Sequence, residues 1–383
     1  MTSQRYAALN DRLRQRRQEF GASIERVARW ADIGPERLAE IEGGSAIRSW
    51  EFDAICRALA VDSGALARGL DRTPRRSVAR FRAARWAQPA AEDLRTLSLA
   101  AELGRIGGSL AQGIDRQARL ARLRSPQPID EKSKPWRQGY RLGENARRAL
   151  EPLPGPIRSL EGLLTEWGVH VGRVEFTSAE LDAASLWEGG ALPVILLNTK
   201  SIRTRSALSR RPLLAHELCH LLHDSGENDL TTEISWGEGT PGYREAVEQR
   251  ARAFAPAFLA PRDEVTHWFA AGEGRRIRKP ESKVKELAER WGFSLRGAIW
   301  HAKNCGIIPP AAAGDLDSRT QDQDHPWSAQ FETDGREPVG AAPPAAAYES
   351  AGIAQGLLSR LVAEAATTSL ISEGRAREIL TWR

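Results

Sequence analysis

The stretch His216-Glu217-Leu218-Cys219-His220 lies within an apolar segment that has the periodicity of an α-helix. At about 3.6 residues per turn, histidines four positions apart project from one helix face and can bind a single metal ion. Glu217 projects about a quarter-turn away, where it can reach a water molecule at the ion without being a ligand. The spacing therefore predicts a hydrolytic zinc site in which His216 and His220 are ligands and Glu217 is the catalytic base.

A third ligand must come from another segment, because a catalytic zinc ion usually has three protein ligands and one open position. The segment Arg244 to Ala260 has the apolar spacing of a helix, and Glu248 projects beside its apolar side. We predict that Glu248 is the third ligand, with Glu245 as the alternative on nearly the same face. His223 lies almost a full turn beyond His220, which favours a supporting or surface position over coordination.

Three further side chains are candidates for stabilising the oxyanion that forms when water attacks a carbonyl group. They are Tyr243, His223 and His267, and the sequence does not separate them. The simpler alternative for the whole motif is a buried helix with two hydrogen-bonded histidines, or a zinc ion that serves structure alone. Only seven histidines occur in the chain, so their ligand spacing around a glutamate favours the catalytic interpretation.

The N-terminal part of the chain has the pattern of short amphipathic helices. Ser23 is a favourable N-cap, and Pro35 suits the first turn of the following helix. The layout, with Ile41-Glu42-Gly43-Gly44 followed by the segment Phe52 to Val61, resembles XRE-type helix-turn-helix domains. That resemblance implies that the helix Pro35 to Glu42 enters the DNA major groove.

The charge of this recognition helix is unfavourable for DNA, because three carboxylates accompany its single guanidinium group. Phosphate contacts would therefore depend on additional basic residues. The candidates for DNA contact are Arg37, Arg48, Arg72, Arg75 and Arg76. The alternatives are a helix-turn-helix retained for dimerisation or protein docking, and an arginine run that forms a solvated helix face or a linker.

Composition and periodicity divide the chain into five regions. Strand-like segments enter at Val169 to Phe176 and Val194 to Leu197, so the sequence predicts an α+β protein: an all-helical N-terminal domain, a zincin-like domain with a small sheet and the HExxH helix, and a C-terminal helical segment. The predicted regions are 1–70 (helix-turn-helix domain), 71–132 (Arg-rich helical linker), 133–310 (metallopeptidase-like domain), 311–347 (flexible linker) and 348–383 (C-terminal helical segment). The second region is predicted to contain a helix over Leu94 to Leu123, and Ser125 to Pro135 has the composition of a linker.

Several motifs between Trp136 and about Pro309 resemble those of the ImmA/IrrE-type metallopeptidases. They are Trp136-Arg137-Gln138-Gly139-Tyr140, Gly168-Val169-His170-Val171, Val194-Ile195-Leu196-Leu197-Asn198, the segment Leu214 to His223, and the segment Glu248 to Ala255. The resemblance implies a zinc site completed by the glutamate that matches Glu248, and a helix-turn-helix repressor as the substrate. A fused XRE-type domain also fits that family.

The chain departs from this family pattern at three positions of the predicted Glu248 helix, one of which is Ala260, where a larger apolar residue is usual. Arg252 stands where the family usually has asparagine, four residues from Glu248, and it can pair with that carboxylate. Pro256 lies inside the predicted helix and predicts a kink or an early end.

Composition excludes several other classes of protein. No segment approaches the roughly 20 apolar residues of a membrane span, and the N-terminus is too polar for a signal peptide. The three cysteines, Cys56, Cys219 and Cys305, have the spacing of neither a disulfide framework nor a cysteine-based zinc cluster. We therefore expect a cytoplasmic protein with reduced thiols and no membrane partner.

The motif predicts a zinc-dependent endopeptidase that uses Zn²⁺ (or Mn²⁺ in vitro). The family resemblance implies a regulatory role, in which the protein cleaves a helix-turn-helix transcriptional repressor in response to stress or a phage-related signal. Its own helix-turn-helix domain would dock to DNA or to the target. The alternative is a DNA-binding transcriptional regulator or antitoxin-like protein whose metallopeptidase-like domain is a sensor without turnover. A homodimer is expected by analogy with other helix-turn-helix proteins.

Overall fold

The structure is a computed structural model that describes residues 2–19, 21–69, 80–83, 90–114, 124–130, 132–150, 154–205, 207–224, 241–271, 274–320 and 352–381. Its helices and strands form an α+β protein, as the sequence predicts.

The N-terminal domain is all-helical, which confirms the prediction for this region. It consists of α1 (Thr2–Glu19), α2 (Ile24–Ala31), α3 (Pro35–Glu42), α4 (Ser49–Ala58) and α5 (Ser63–Arg68). Helix α2 begins where the Ser23 side chain accepts a hydrogen bond from the Arg26 backbone N–H at 3.3 Å. Fully buried apolar side chains from several helices, among them Leu13, Leu38 and Ile55, form its core.

A four-stranded sheet follows in the described chain, and two of its strands were predicted. The strands are β1 (Arg80–Ala83), β2 (His170–Val174), β3 (Leu181–Leu186) and β4 (Val194–Asn198), in the order β1-β3-β4-β2. Strand β2 is parallel to β4, whereas β1 and β4 are both antiparallel to β3. The position of β1 corrects the expectation of a helical linker, because Arg80–Ala83 pairs with β3 as a strand.

The sheet lies between two apolar layers, because successive side chains of a strand point to opposite faces. One face, which includes Val171, Ala183 and Ile195, belongs to the core around the HExxH helix. The other face, which includes Ala184 and Leu196, belongs to a core that also contains the N-terminal domain. The sheet therefore joins the metal-site layer to the helix-turn-helix layer.

The remaining helices surround the sheet. They are α6 (Ala91–Gly113), α7 (Pro135–Leu150), α8 (Leu160–Glu166), α9 (Ile202–Arg205), α10 (Ala207–His223), α11 (Pro241–Leu259), α12 (Arg262–Ala270), α13 (Pro280–Trp291), α14 (Leu295–Asn304), α15 (Pro310–Arg319), α16 (Leu357–Thr367) and α17 (Glu373–Leu380), with short 3₁₀ turns at Gly274–Arg276 and Gly352–Ala354. Helices α16 and α17 confirm the C-terminal helical segment.

Three local expectations differ from the structure. Helix α6 ends at Gly113, within the segment Leu94 to Leu123 that was predicted to be one helix, and residues 115–123 lie outside the described chain. Residues 310–319 are helical rather than part of a flexible linker, while residues 321–347 of that predicted linker lie outside the described chain. Helix α11 continues through Pro256 to Leu259, so the proline does not end it early.

Candidate metal centre

The HExxH residues lie on α10, and the two histidines point to one side of it. Their Nε2 atoms are 3.0 Å apart, and their ring centroids are 4.7 Å apart in an edge-to-face arrangement. Both side chains are almost fully buried. The four-residue spacing therefore brings the two nitrogen atoms together inside the core, as the helical geometry predicts.

Glu248 reaches the same point from α11, which packs against α10. One carboxylate oxygen lies 3.2 Å from His216 Nε2, and the other lies 3.5 Å from His220 Nε2. A tetrahedral zinc ion with bonds of about 2.0 to 2.1 Å holds its ligand atoms about 3.3 to 3.4 Å apart. The observed separations of 3.0, 3.2 and 3.5 Å are close to those values, so the two nitrogen atoms and the carboxylate form a group that could hold a metal.

The Glu248 carboxyl is held in its anionic form, which is the form that binds a metal. Burial alone would raise the pKa of the Glu248 carboxyl, but the hydrogen bond with His216 and the charges of both histidines lower it to about 2. Glu248 is therefore an anionic ligand at neutral pH. Its carboxylate is paired with the two histidines, and the exposed Arg252 adds to the lowering through its charge without being in the ion pairs of Glu248.

A second carboxylate fixes the orientation of His220. The His220 Nδ1–H donates to Asp224, with 2.6 Å between nitrogen and oxygen, which leaves Nε2 as the lone-pair donor toward the metal position. Burial alone would lower the pKa of His220, but the hydrogen bond to Asp224 and the neighbouring carboxylates raise it. The sequence interpretation missed Asp224, although a carboxylate one turn after a ligand histidine was a usable signal.

The proposed base, Glu217, is fully buried on α10 between the two histidines in sequence. It is not in the group of three ligand side chains, which agrees with a role other than coordination. The placement is compatible with the predicted function of Glu217 as a base.

None of the other predicted site residues whose side chains are described belongs to this group of three. His223 is buried, not at the surface: its Nδ1–H donates to the Ser125 carbonyl at 2.9 Å, and its ring packs against Phe254. His267 is exposed on α12, and Glu245 is exposed on α11. The backbone of Tyr243 is in α11, but its side chain lies outside the described part of the structure.

Of the five arginines predicted to contact DNA, the structure describes two, Arg37 and Arg48. The Arg37 guanidinium binds both carboxylate oxygens of Glu51, at 2.8 and 3.0 Å, and contacts Glu40 at 3.1 Å. It is therefore engaged within the domain, and its contact with DNA stays a prediction. Arg48 is exposed next to the start of α4, whereas Arg72, Arg75 and Arg76 lie outside the described residues.

Comparison with known families agrees with this geometry. Residues 8–70 match a family model described as a helix-turn-helix domain. Residues 165–297 match a peptidase-family model described as an IrrE N-terminal-like domain. The chain carries both domains. The IrrE-like domain contains all three candidate ligands and Glu217, so the metal centre lies in the part that resembles a peptidase.

The family matches confirm the resemblance drawn from the motifs. No curated protein and no solved structure gave a match. None of the helices in the described ranges combines the length and the apolar content that a membrane span requires.

Proposed function

We propose that the IrrE-like domain is a zinc-dependent endopeptidase. The observation that carries this proposal is the convergence of His216, His220 and Glu248 within 3.5 Å of one another, with Glu217 on the helix of the two histidines. The peptidase-family match supports the same reaction class. Mn²⁺ is the proposed substitute for Zn²⁺ in assays.

Different residues of the chain would hold the metal, transfer the proton and stabilise the oxyanion during hydrolysis. A zinc ion, when bound, supplies the Lewis acidity that polarises the scissile carbonyl and acidifies water. Glu217 accepts the proton of the attacking water and delivers it to the leaving amine. Because Glu217 is buried, few other water molecules can reach its carboxylate, and its electrostatic attraction for the proton of the attacking water is stronger than at the surface. Tyr243, His223 and His267 remain the proposed oxyanion donors; His223 binds the Ser125 carbonyl through Nδ1, which leaves its Nε2 for such a role, and His267 is exposed.

We further propose that the substrate is a helix-turn-helix transcriptional repressor cleaved in response to stress, and that the protein works in the cytoplasm, with a homodimer as its assembly. The three cysteines are buried and form no disulfide, which supports a reducing compartment. Incubation of the zinc-loaded protein with candidate repressors, followed by mass analysis of the fragments, tests the substrate class.

Replacement of the third ligand tests the metal centre itself. Glu248→Ala is expected to reduce bound zinc from one ion per chain to well below one, because two neutral imidazoles alone bind the ion weakly. The measurement is elemental analysis after dialysis against a weak chelator. Glu245→Ala is the matched control, since it removes an exposed carboxylate from the same helix and should leave the zinc content unchanged. Equal zinc in both variants would contradict the assignment of Glu248.

The helix-turn-helix match favours DNA binding as a second function. Because phosphate contacts release counterions, affinity for a DNA duplex should fall steeply with salt. Arg48→Ala is expected to weaken binding to all duplexes and to reduce the slope of log affinity against log salt by about 1. The control is Arg319→Ala, which removes an exposed arginine of α15. A slope unchanged by Arg48→Ala would remove Arg48 from the DNA interface.

The alternative to an endopeptidase is a DNA-binding regulator or antitoxin-like protein whose IrrE-like domain senses a signal without turnover. The two differ in one measurable outcome. A zinc-loaded protein that binds DNA but cleaves neither a repressor nor itself supports the regulator, whereas any cleavage abolished by a chelator supports the peptidase.

A further inference from the structure

A buried ion pair lies directly behind the candidate ligand His220. Asp224 accepts the His220 Nδ1–H with one oxygen, and its other oxygen accepts a hydrogen bond from Arg250. The side chains of Asp224 and Arg250 are 1% and 0% exposed. A carboxylate so deeply buried needs a positive partner, because an uncompensated charge in the core is strongly destabilising.

Arg250 belongs to the helix that supplies Glu248. It lies two residues after that ligand on α11, whereas Asp224 follows the end of α10. The Arg250–Asp224 contact therefore connects the two helices that carry the three candidate ligands.

A short backbone segment completes this connection, and we name residues Ser125–Pro128 the strap. The Ser125 and Gln127 backbone N–H groups donate to the carbonyls of Leu222 and His223, at 2.9 and 3.0 Å. These carbonyls belong to the last turn of α10, where no intrahelical donor remains. The Arg250 Nη1–H in turn donates to the Gln127 carbonyl at 2.6 Å. The strap lies in the stretch expected to be a linker, and it instead holds the end of the HExxH helix.

We propose that Arg250 is a positioning residue for the metal centre, acting through Asp224 on His220 and held in place by the strap. This inference rests on the proposed function, since it assumes that His220 is a metal ligand. Asp224 sets the tautomer and the ring orientation of His220, and Arg250 sets the position of Asp224. Such groups behind a ligand commonly contribute 10- to 100-fold to metal affinity.

The test compares cobalt binding by the full-length protein and three variants. Asp224→Asn and Arg250→Gln are each expected to weaken Co²⁺ binding by about 10- to 100-fold and to change the visible absorption spectrum of the bound ion, because His220 is no longer fixed. The double variant Asp224→Asn/Arg250→Gln removes both charges. It should unfold at a higher temperature than Arg250→Gln, because no buried carboxylate is left uncompensated, and still bind Co²⁺ weakly.

The double variant separates positioning from simple structural support. If the pair served stability alone, metal affinity and melting temperature would recover together in the double variant, and that result would overturn the proposal. Arg211→Gln is the matched control: Arg211 is also a buried arginine, bonded to the carbonyls of Ile157 and Trp291. It should lower the melting temperature without altering the cobalt spectrum.

The outcomes also distinguish this inference from the proposed function. A wild-type protein that binds neither Co²⁺ nor Zn²⁺ would contradict the metal centre and this inference together. Wild-type binding accompanied by unchanged affinity in the folded Arg250→Gln and Asp224→Asn variants would contradict the positioning role alone.

Discussion

Glu217→Gln is expected to keep the metal and to lose about 10²- to 10⁴-fold in the rate of peptide hydrolysis, which is the usual contribution of a positioned general base. The amide has nearly the same shape as the carboxylate but cannot accept the proton of the attacking water. Because Glu217 lies outside the group formed by His216, His220 and Glu248, its replacement removes no ligand. Zinc content and cleavage rate, measured on one preparation, check the two halves of the expectation.

The control for this experiment is Glu245→Gln, which makes the same chemical change at an exposed position of α11. It should cleave at the wild-type rate. A Glu217→Gln variant that cleaves as fast as Glu245→Gln would show that another group takes the proton. A variant that instead loses its zinc would show that Glu217 supports the metal rather than the reaction.

The ligand side of the centre was predictable because it depends on local geometry. Two histidines four residues apart on a helix must share a face, so the spacing alone placed His216 and His220 together. Glu248 required one more step, since the apolar stripe of its helix indicated which side faces the core. Both inferences rest on the periodicity of a helix and need no knowledge of contacts between residues that are far apart in the sequence.

The contacts that hold the ligands in place, made by Asp224, Arg250 and the strap, were not predictable from local geometry. The Arg250–Asp224 contact joins residues 26 positions apart, and the strap joins Gln127 to Arg250 across 123 positions. No local pattern encodes such pairs. Strand β3 was missed for another reason: Leu181-Asp182-Ala183-Ala184-Ser185-Leu186 has no β-branched residue, and both of its faces are buried, so it lacks polar alternation.

Close packing between α7 and α11 predicts that a larger residue at this contact will lower both the stability of the protein and its affinity for zinc. Gly139 and Gly143, one turn apart on α7, face the backbone of α11. A Cβ at Gly139 would overlap the Arg250 carbonyl oxygen and lie 2.9 Å from the Ala253 Cβ, while a Cβ at Gly143 would lie 2.5 Å from the Phe254 carbonyl oxygen. The glycines therefore let the helix that carries Glu248 approach α7 closely.

Gly139→Ala is expected to lower the free energy of unfolding by about 1 to 3 kcal/mol, because backbone atoms of α11 cannot yield as a flexible side chain can. The shift of α11 should also displace Glu248 and Arg250, so zinc affinity should fall with stability. Thermal unfolding with and without zinc measures both effects.

Gly314→Ala is the control: it adds a Cβ to a glycine of α15 with no atom within 4 Å. There the higher helix propensity of alanine should stabilise the protein by up to about 1 kcal/mol. Equal unfolding temperatures and zinc affinities for the two alanine variants would contradict the close α7–α11 contact as a determinant of the metal centre.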